Sequence, residues 1–438
     1  MSWAIDMARR LHAGDAGFEA DFRVLLSAKR ENAPDVAESV RAIIADVRNR
    51  GDQALIDLTA RFDGVALSPD TLRVSAVEIA AARAACARPA LDALAVAAAR
   101  IESYHRRQLP ADERFTDSTG AELGWRWTPL DSVGLYVPGG TASYPSSVLM
   151  NAVPAMVAGV SRIVMVTPAS GGAINPLTLA AADLAGITEI YRVGGAQAVA
   201  ALAHGTATIA PVDKIVGPGN AYVAAAKREV FGTVGIDSIA GPSEILVIAD
   251  AGNNPDWVAA DLLSQAEHDT ASQSILITDD AAFADRVSEA VARVLATLPR
   301  RDIAEKSWND HGAIIVVNTL ADAASLADRI APEHLEIATA DPGAMLARVR
   351  HAGAIFLGRY TPEAMGDYVA GPNHVLPTSR TARFSSGLSV LEFMKRTTLL
   401  SCAPETINAI GPDAIALAEA EGLEAHARAI AVRLNGKP

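Results

Sequence analysis

The segment LLSQAEHD, residues 262–269, ends a predicted amphipathic helix with two side chains that can bind a metal ion. Val258, Leu262 and Gln265 recur at helical spacing, and His268 continues their stripe, so the apolar face becomes polar in its last turn. A buried amide and imidazole need polar partners, and the negative end of the helix dipole favours a nearby cation. A metal ion would meet both needs, whereas a surface glutamine beside a C-terminal capping histidine is the ordinary alternative.

Two further stretches carry groups suited to acid–base or metal chemistry. APEHLEI puts Glu333 beside His334, and in a turn after Pro332 both side chains could face one cleft. A neighbouring carboxylate would hold the imidazole near neutral pH as a general base, while an exposed acidic and basic pair is the other interpretation. GDYVAGPNHVLPT adds Asp367, a hard oxygen ligand or a turn former, and His374, in a loop of the kind that often carries sites.

Three glycine-rich turns each follow a predicted strand and precede a predicted helix. They are VPGG at 137–140, VGGAQA at 193–198 and VGPGN at 216–220. Such turns present main-chain N–H groups at a helix N-terminus and suit phosphate. Tyr222 replaces the third glycine of a dinucleotide fingerprint, so this signal is weak alone, and any parallel sheet needs tight turns.

The elements that must position these residues alternate between strand and helix from about residue 131 onward. An asparagine followed by proline, at positions 175–176 and 254–255, predicts where two of the helices begin. Alternation of this kind predicts parallel sheets with helices on both faces, here two doubly wound Rossmann-like α/β domains. The predicted buried strands are VGLYVPGG, SRIVMVTPA, ITEIYRVGG, VDKIVGPG, SEILVIAD, ASQSILITDD, GAIIVVNT, HLEIAT and AGAIFLG.

The two ends of the chain depart from this alternation. Residues 1–130 are predicted to be mostly helical, and the last 50 residues end in a predicted helix over 412–434 that Gly422 interrupts. The predicted division is an N-terminal helical arm at 1–30, a discontinuous first α/β domain at 31–135 plus 243–388 with the metal and acid–base site, a second at 136–242 with the glycine-rich turns, and a C-terminal extension at 389–438.

Composition restricts the class of protein. A net charge of −13 and 5 % aromatic residues argue against nucleic acid as a partner. The charged N-terminus has no signal-peptide pattern, and no run of about 18 apolar residues occurs, so we expect a cytoplasmic protein without a membrane partner. Cys86 and Cys402 lie in no nucleophile or metal motif and are predicted to be buried small apolar residues.

The chain resembles the L-histidinol dehydrogenases over nearly its whole length, because eight motifs of that family occur in it in order. The resemblance implies oxidation of L-histidinol to L-histidine in two NAD-dependent steps through the aldehyde, the last reaction of histidine biosynthesis. It also implies one zinc ion per subunit and a homodimer whose chains exchange C-terminal segments. The motifs are GLYVPGGTASYPSSVLMNAVPA, VGGAQAVAALAHGT, DKIVGPGNAYVAAAKR, DSIAGPSEILVIAD, DLLSQAEHD, APEHLEI, GPNHVLPT and EGLEAH.

Position by position, the resemblance also implies roles for individual residues, with Glu333 and His334 as the acid–base pair. The implied zinc ligands are Gln265, His268, Asp367 and His426. The implied substrate contacts are Ser243, Gln265, His268, His334, Asp367, His374, Glu421 and His426. The implied NAD contacts are Tyr136, Gln197 and Asn220, one in each glycine-rich turn or at the strand end before it. Arg380 and Leu391 depart from the family pattern and leave only local C-terminal packing in doubt.

A mechanism follows from these types of residue. His334 is expected to take the alcohol proton while NAD accepts the hydride. Because neither cysteine lies in a site motif, the aldehyde is expected to react as its hydrate, with Glu333 activating the water and zinc acting mainly as an orienting template. Two alternatives stay open. One is a dehydrogenase of another small alcohol such as a sulfonated diol, although Glu421 and His426 favour histidinol, and the other is a zinc hydrolase that needs no NAD.

Overall fold

A computed structural model describes residues 8–27, 36–139, 144–239 and 241–435. The predicted arm at 1–30 is therefore described only in part, and Gly140 of the first glycine-rich turn lies outside the described residues. Within these ranges no helix is both long and apolar enough to cross a membrane.

Strands occur along most of the chain. They are β1 (Arg9–His12), β2 (Glu113–Thr116), β3 (Glu122–Pro129), β4 (Ser132–Tyr136), β5 (Arg162–Val166), β6 (Glu189–Tyr191), β7 (Lys214–Val216), β8 (Gly235–Ile236), β9 (Glu244–Ala249), β10 (Gln273–Thr278), β11 (Ala313–Val316), β12 (His334–Ala338), β13 (Ala354–Leu357) and β14 (Met394–Ser401).

Helices alternate with these strands and cover their faces. They are α1 (Phe18–Ser27), α2 (Ala37–Arg50), α3 (Asp52–Asp63), α4 (Pro69–Leu72), α5 (Ala76–Ala85), α6 (Arg88–Arg106), α7 (Pro145–Ala158), α8 (Pro176–Leu184), α9 (Gly195–His204), α10 (Ala221–Val230), α11 (Pro255–Ala266), α12 (Ala281–Leu295), α13 (Arg301–His311), α14 (Leu320–Ile330), α15 (Pro342–Leu346), α16 (Glu363–Tyr368), α17 (Pro404–Ala420) and α18 (Glu424–Asn435).

The larger sheet has six parallel strands in the order β1-β11-β10-β9-β12-β13. Every residue of β9 and β10 is buried, because helices cover both faces of the sheet. On one face α11 and α12 pack over β9 and β10, and α14 packs on the other. Asn254 caps α11 as predicted, its side-chain oxygen accepting the Asp256 N–H at 2.9 Å. The predicted parallel α/β unit is confirmed here.

The second sheet has five parallel strands in the order β6-β5-β4-β7-β8. From β4 the chain winds outward to β5 and β6 on one side, and β7 and β8 extend the sheet on the other. The carboxyl ends of β4 and β7 therefore flank a topological switch point, the place where doubly wound sheets bind ligands. Helices α2 and α3 pack on α9 of this unit, and α5 and α6 pack on α8 and α7. The domain division made from the sequence remains a prediction.

Three features of the fold were not anticipated from the sequence. β1 adds an edge strand to the six-stranded sheet within the predicted helical arm, and it has only four residues, too few to show an alternating pattern. β14, β3 and β2 form a separate antiparallel sheet. The predicted C-terminal helix begins earlier, at Pro404, and folds as a hairpin of α17 and α18, with the predicted interruption at Gly422, whose φ is +72°. Cys402 is exposed, contrary to the prediction, because the segment after β14 packs on little in the single chain, whereas Cys86 is partly buried.

Candidate active site

Glu333 and His334 lie at the amino end of β12, next to the amino end of β9. His334 is only 3 % exposed, and its Nδ1 lies 3.0 Å from the main-chain oxygen of Glu244. A carbonyl oxygen only accepts, so Nδ1 carries the proton and Nε2 carries the lone pair. That Nε2 is buried without a hydrogen-bond partner, and burial lowers the pKa of His334 to about 4. The imidazole is therefore neutral at pH 7, with its basic nitrogen free to accept a proton.

The Glu333 side chain is buried beside this imidazole. One of its oxygens, Oε2, accepts the main-chain N–H of Glu244 at 2.9 Å and lies 3.7 Å from His334 Nδ1. Burial, and then the nearby carboxylates, raise the pKa of Glu333 well above its usual range. A carboxylate in this environment is a stronger base than one in water.

Two carboxyl groups on α16 face His334. Glu363 Oε1 lies 3.6 Å from His334 Nε2, and Asp367 stands one helical turn further on. Ligand atoms of His334, Glu363 and Asp367 all lie within 4.8 Å of one another. Burial and the neighbouring Asp367 raise the pKa of Glu363 to about 9. Asp367 was singled out from the sequence as part of a loop, whereas Glu363 was not singled out, because the helix α16 that carries both was not predicted.

Two further carboxyl groups, those of Glu336 and Asp261, lie next to Glu363. Glu336 Oε1 accepts the main-chain N–H of Glu363 at 2.6 Å. Glu336 in turn shares a side-chain hydrogen bond with Asp261 on α11, and burial raises the pKa of Asp261 to about 6. Neither residue was singled out from the sequence. Glu336 lies within β12, where all five residues are buried, and nothing in the strand's sequence marks it out.

Gln265 and His268 lie together at the end of α11, as the sequence predicted. Gln265 is fully buried, its Nε2 lies 3.4 Å from His268 Nδ1, and its Oε1 has no hydrogen-bond partner. The helix ends at Ala266, so His268 belongs to the turn that follows it. Burial lowers the pKa of His374, as it does that of His334, and the charge of His268 lowers both further. An orphaned amide oxygen next to an imidazole fits a cation, because a buried acceptor without a partner costs free energy.

His374 joins this cluster from the loop after α16. Its Nδ1 lies 3.0 Å from the main-chain oxygen of Asp367 and 3.7 Å from the Asp367 carboxylate. Its Nε2 lies 3.4 Å from the hydroxyl of Ser147, a residue of α7 in the five-stranded unit that sequence analysis missed. A cavity of about 640 Å³ opens here, and its lining includes Tyr104, Gln108, His334, Asp367, His374 and Leu391.

The other three predicted substrate residues lie at the start of β9 and on the C-terminal hairpin. Ser243 directly precedes β9, where its main-chain oxygen accepts the Gln273 N–H at 2.9 Å. Glu421 and His426 are exposed on the C-terminal hairpin. Between the described residues, no hydrogen bond or ion pair joins either side chain to Gln265, His268 or Asp367. Of the four predicted zinc ligands, Gln265 lies beside His268. Asp367 lies with His334 and Glu363, and His426 is exposed on the C-terminal hairpin.

The three residues predicted to contact NAD lie around the switch point of the five-stranded sheet. Tyr136 ends β4, and its hydroxyl oxygen accepts the Gly195 N–H at 3.0 Å. Burial raises the pKa of Tyr136 to about 12. Gln197, in the first turn of α9, is 2 % exposed. Asn220 caps α10, accepting the Tyr222 and Val223 N–H groups at 3.1 and 3.2 Å.

The two departures from the family pattern are accommodated locally. Arg380 adopts a φ of +64°, a left-handed conformation that is uncommon for residues other than glycine, and burial lowers its pKa. Leu391 is 46 % exposed at the edge of the cavity. Neither residue is among the predicted site residues, although Leu391 lines the same cavity as His334.

Comparison with known proteins gives one consistent result. A family model described as histidinol dehydrogenase matches residues 26–434. A relative from Rhodospirillum rubrum named histidinol dehydrogenase is 68 % identical over 431 residues, covering 98 % of this chain and 99 % of the relative. One from Rhizobium meliloti with the same name is 66 % identical over 429 residues, with coverage of 98 % and 99 %. The crystal structure of histidinol dehydrogenase from Elizabethkingia anophelis superposes with a TM-score of 0.94 at 38 % identity over 99 % of each chain.

Proposed function

The chain belongs to the histidinol dehydrogenase family of oxidoreductases, and on this premise we propose that it oxidises L-histidinol to L-histidine through L-histidinal, using two NAD⁺ and a bound zinc ion. In the first step the alcohol loses a hydride to NAD⁺ and a proton to a base. In the second, water adds to the aldehyde and the hydrate loses a second hydride, giving the carboxylate. We propose that both steps take place in the cytoplasm, as the last reaction of histidine biosynthesis.

The observation that carries this proposal is the tautomer of His334. Its Nδ1–H is held by the Glu244 carbonyl, so Nε2 is the atom that takes the hydroxyl proton in the first step and the hydrate proton in the second. Glu333, whose pKa is raised by burial, takes a proton from the attacking water between these steps. The roles assigned to Glu333 and His334 from the sequence are retained here.

The zinc assignment rests on the donor set around α11 and α16. Gln265, His268 and Asp367 would hold the ion in one subunit, and their amide oxygen, imidazole nitrogen and carboxylate oxygen fit its preferences. When bound, zinc would orient the imidazole and amine of histidinol. The other substrate contacts in this proposal include His334, Ser243 and His374. Glu363 lies beside His334 and has no assigned role.

The NAD assignment rests on position in the sheet. Tyr136 and the turn at 216–220 lie at the carboxyl ends of β4 and β7, on either side of the switch point. Gln197 and Asn220 stand at the beginnings of α9 and α10, where main-chain N–H groups and the helix dipole attract phosphate. We propose these three residues as NAD contacts.

The dimer assignment rests on the exposed C-terminal hairpin. Leu417, Leu423 and Val432 are 66 %, 43 % and 62 % exposed, an apolar surface that one chain leaves open. We propose that this hairpin docks on a second subunit, where His426 becomes the fourth zinc ligand and Glu421 contacts the substrate. Exchange of such an element in a C2 dimer needs few new contacts.

One absorbance assay tests the proposed function. Zinc-loaded protein mixed with NAD⁺ and L-histidinol is expected to form NADH, two molecules for each histidinol consumed. No NADH with histidinol would contradict the proposal. NADH with a sulfonated diol instead would identify a dehydrogenase of another alcohol, and substrate cleavage without NADH would identify a zinc hydrolase.

A further inference from the structure

Beneath the glycine-rich turn at 216–220 lies a buried ion pair formed by Lys227 and Asp237. Only 3 % and 5 % of these side chains are exposed. Lys227 belongs to α10, and Asp237 directly follows β8. Removing both charges from water is costly, and apolar residues of similar volume often stabilise a fold equally well or better. Stability of the fold is therefore a poor explanation for this pair.

The pair holds both main-chain polar groups of a single residue. Lys227 Nζ donates to the Gly217 carbonyl oxygen at 3.1 Å, and Asp237 Oδ2 accepts the Gly217 N–H at 2.8 Å. Gly217 has a φ of +111°, and a Cβ atom there would lie 2.2 Å from the main-chain oxygen of Tyr136. The ion pair thus keeps Gly217 in a left-handed conformation directly against the end of β4.

The other end of the same turn is held by Asn220. Its side-chain oxygen accepts two N–H groups of the first turn of α10, so the four residues from 217 to 220 are fixed at both ends. Lys227 lies seven residues after Asn220, on the same face of α10 two helical turns further on. Helix α10 therefore holds the start of the turn through Lys227, and its N-cap residue Asn220 holds the end of the turn.

We infer that the Lys227–Asp237 pair positions the turn at 217–220 for the dinucleotide, so that its removal weakens NAD binding without disturbing histidinol binding. The inference rests on the proposed function in one respect, that NAD binds at this turn. Lys227 and Asp237 are positioning residues, since their polar atoms contact Gly217 and each other. A turn whose main chain is fixed before the ligand arrives loses less conformational freedom on binding.

The test replaces the pair by apolar residues of similar size, Lys227→Met together with Asp237→Leu. A matched control is Arg162→Met with Glu189→Leu, which removes an ion pair at the opposite, amino end of the same sheet. NADH affinity is measured by fluorescence titration of the zinc-loaded enzyme, together with the KM values for NAD⁺ and histidinol and the Tm. We expect the Kd for NADH and the KM for NAD⁺ to rise about tenfold, as lost hydrogen bonds to the turn would cause, with the KM for histidinol unchanged.

Each outcome decides the question. A folded Lys227→Met/Asp237→Leu variant with a wild-type Kd for NADH would overturn the inference, and so would an equal rise in the Arg162→Met/Glu189→Leu control. If the first variant does not fold, Asp237→Asn keeps the shape of the side chain and removes its charge. A rise of about threefold is then expected, and an unchanged Kd would overturn the inference. Wild-type protein that binds no NADH would instead contradict the proposed function.

Discussion

The carboxylates of Glu244 and Glu333 each accept a hydrogen bond from the main chain of the other residue. Glu333 Oε2 accepts the Glu244 N–H at 2.9 Å, and Glu244 Oε2 accepts the Glu333 N–H at 3.3 Å. This reciprocal contact ties the amino ends of β9 and β12 together. Because the Glu244 carbonyl also holds His334 Nδ1, one cross-strand contact orients the acid–base pair.

Removal of the base is the first prediction. His334→Ala should lower turnover by roughly 10²–10⁴-fold, the usual contribution of a positioned base. Zinc content and Tm should stay near wild type, because Glu244 and Glu333 still connect the two strands without the imidazole. Steady-state NADH formation and metal analysis on the same sample check this. Turnover near the wild-type value would remove His334 from the mechanism.

The second prediction separates the two half-reactions. Glu333→Gln keeps an oxygen that can accept the Glu244 N–H, so the strand contact should survive. The amide cannot take a proton from water, and oxidation of histidinal should therefore slow more than the first hydride transfer from histidinol. Single-turnover measurements started from each substrate make the comparison. Equal slowing of both steps would show that Glu333 has no special part in hydration.

The sequence predicted the two parallel sheets because their strands are buried on both faces and read as continuous apolar runs. β3 and β14 escaped prediction because their mixture of exposed and half-buried positions lacks that signal. Within the site, residues near one another in sequence were found, as with Gln265 and His268. Glu336 was missed because its role depends on Asp261, which lies 75 positions away and is brought beside it only by the fold.

The third prediction concerns the metal. His268→Asn and Asp367→Asn should each lose zinc under mild chelation, because each removes a strong ligand. Glu363→Gln is the discriminating control, since Glu363 also lies within reach of Asp367 and His334 but is not an expected ligand. It should retain zinc, and circular dichroism should change little in all three variants. If Glu363→Gln loses zinc and His268→Asn keeps it, the assignment is wrong and the metal site is the cluster of His334, Glu363 and Asp367.

The fourth prediction is a pH dependence of stability that arises from Glu336. Burial, and then Asp261, raise its pKa well above the usual value of 4.5. The pKa of Glu336 is higher in the folded chain than in the unfolded chain. Its contribution to the free energy of unfolding is therefore complete below the pKa of the unfolded chain and is lost as pH rises through the pKa of the folded chain. Glu336→Gln stays neutral and can still accept the Glu363 N–H, so its Tm should fall less between about pH 6 and pH 9.

The matched control for this experiment is Glu38→Gln, a change at an exposed position of α2. Its Tm should follow the wild-type curve across the same pH range, because the change leaves the buried carboxyl groups around Glu336 unaltered. If wild type and Glu336→Gln give parallel curves of Tm against pH, the buried carboxyl does not bind its proton more tightly in the folded protein.

The last prediction tests whether the C-terminal hairpin serves the neighbouring subunit. His426 is exposed in the single chain, whereas the groups it is proposed to join, Gln265 and His268, lie buried or half-buried at the end of α11. Homodimers of His426→Ala and of His334→Ala should both be nearly inactive. The two variants are then unfolded, mixed in equal amounts and refolded, and NADH formation is measured. A control mixture pairs His334→Ala with His268→Asn, whose lesions both lie outside the hairpin.

Random pairing makes half of the dimers heterodimers. With exchanged hairpins, the heterodimer has one intact site, formed by the His426→Ala chain and the partner's undamaged hairpin, and one site with both lesions. Activity should therefore return to about a quarter of wild type. In the control mixture every site keeps one lesion whichever chain supplies the hairpin, so no activity should return. If the first mixture also stays as inactive as its parents, each hairpin serves its own chain, and the apolar surface of Leu417, Leu423 and Val432 has another function.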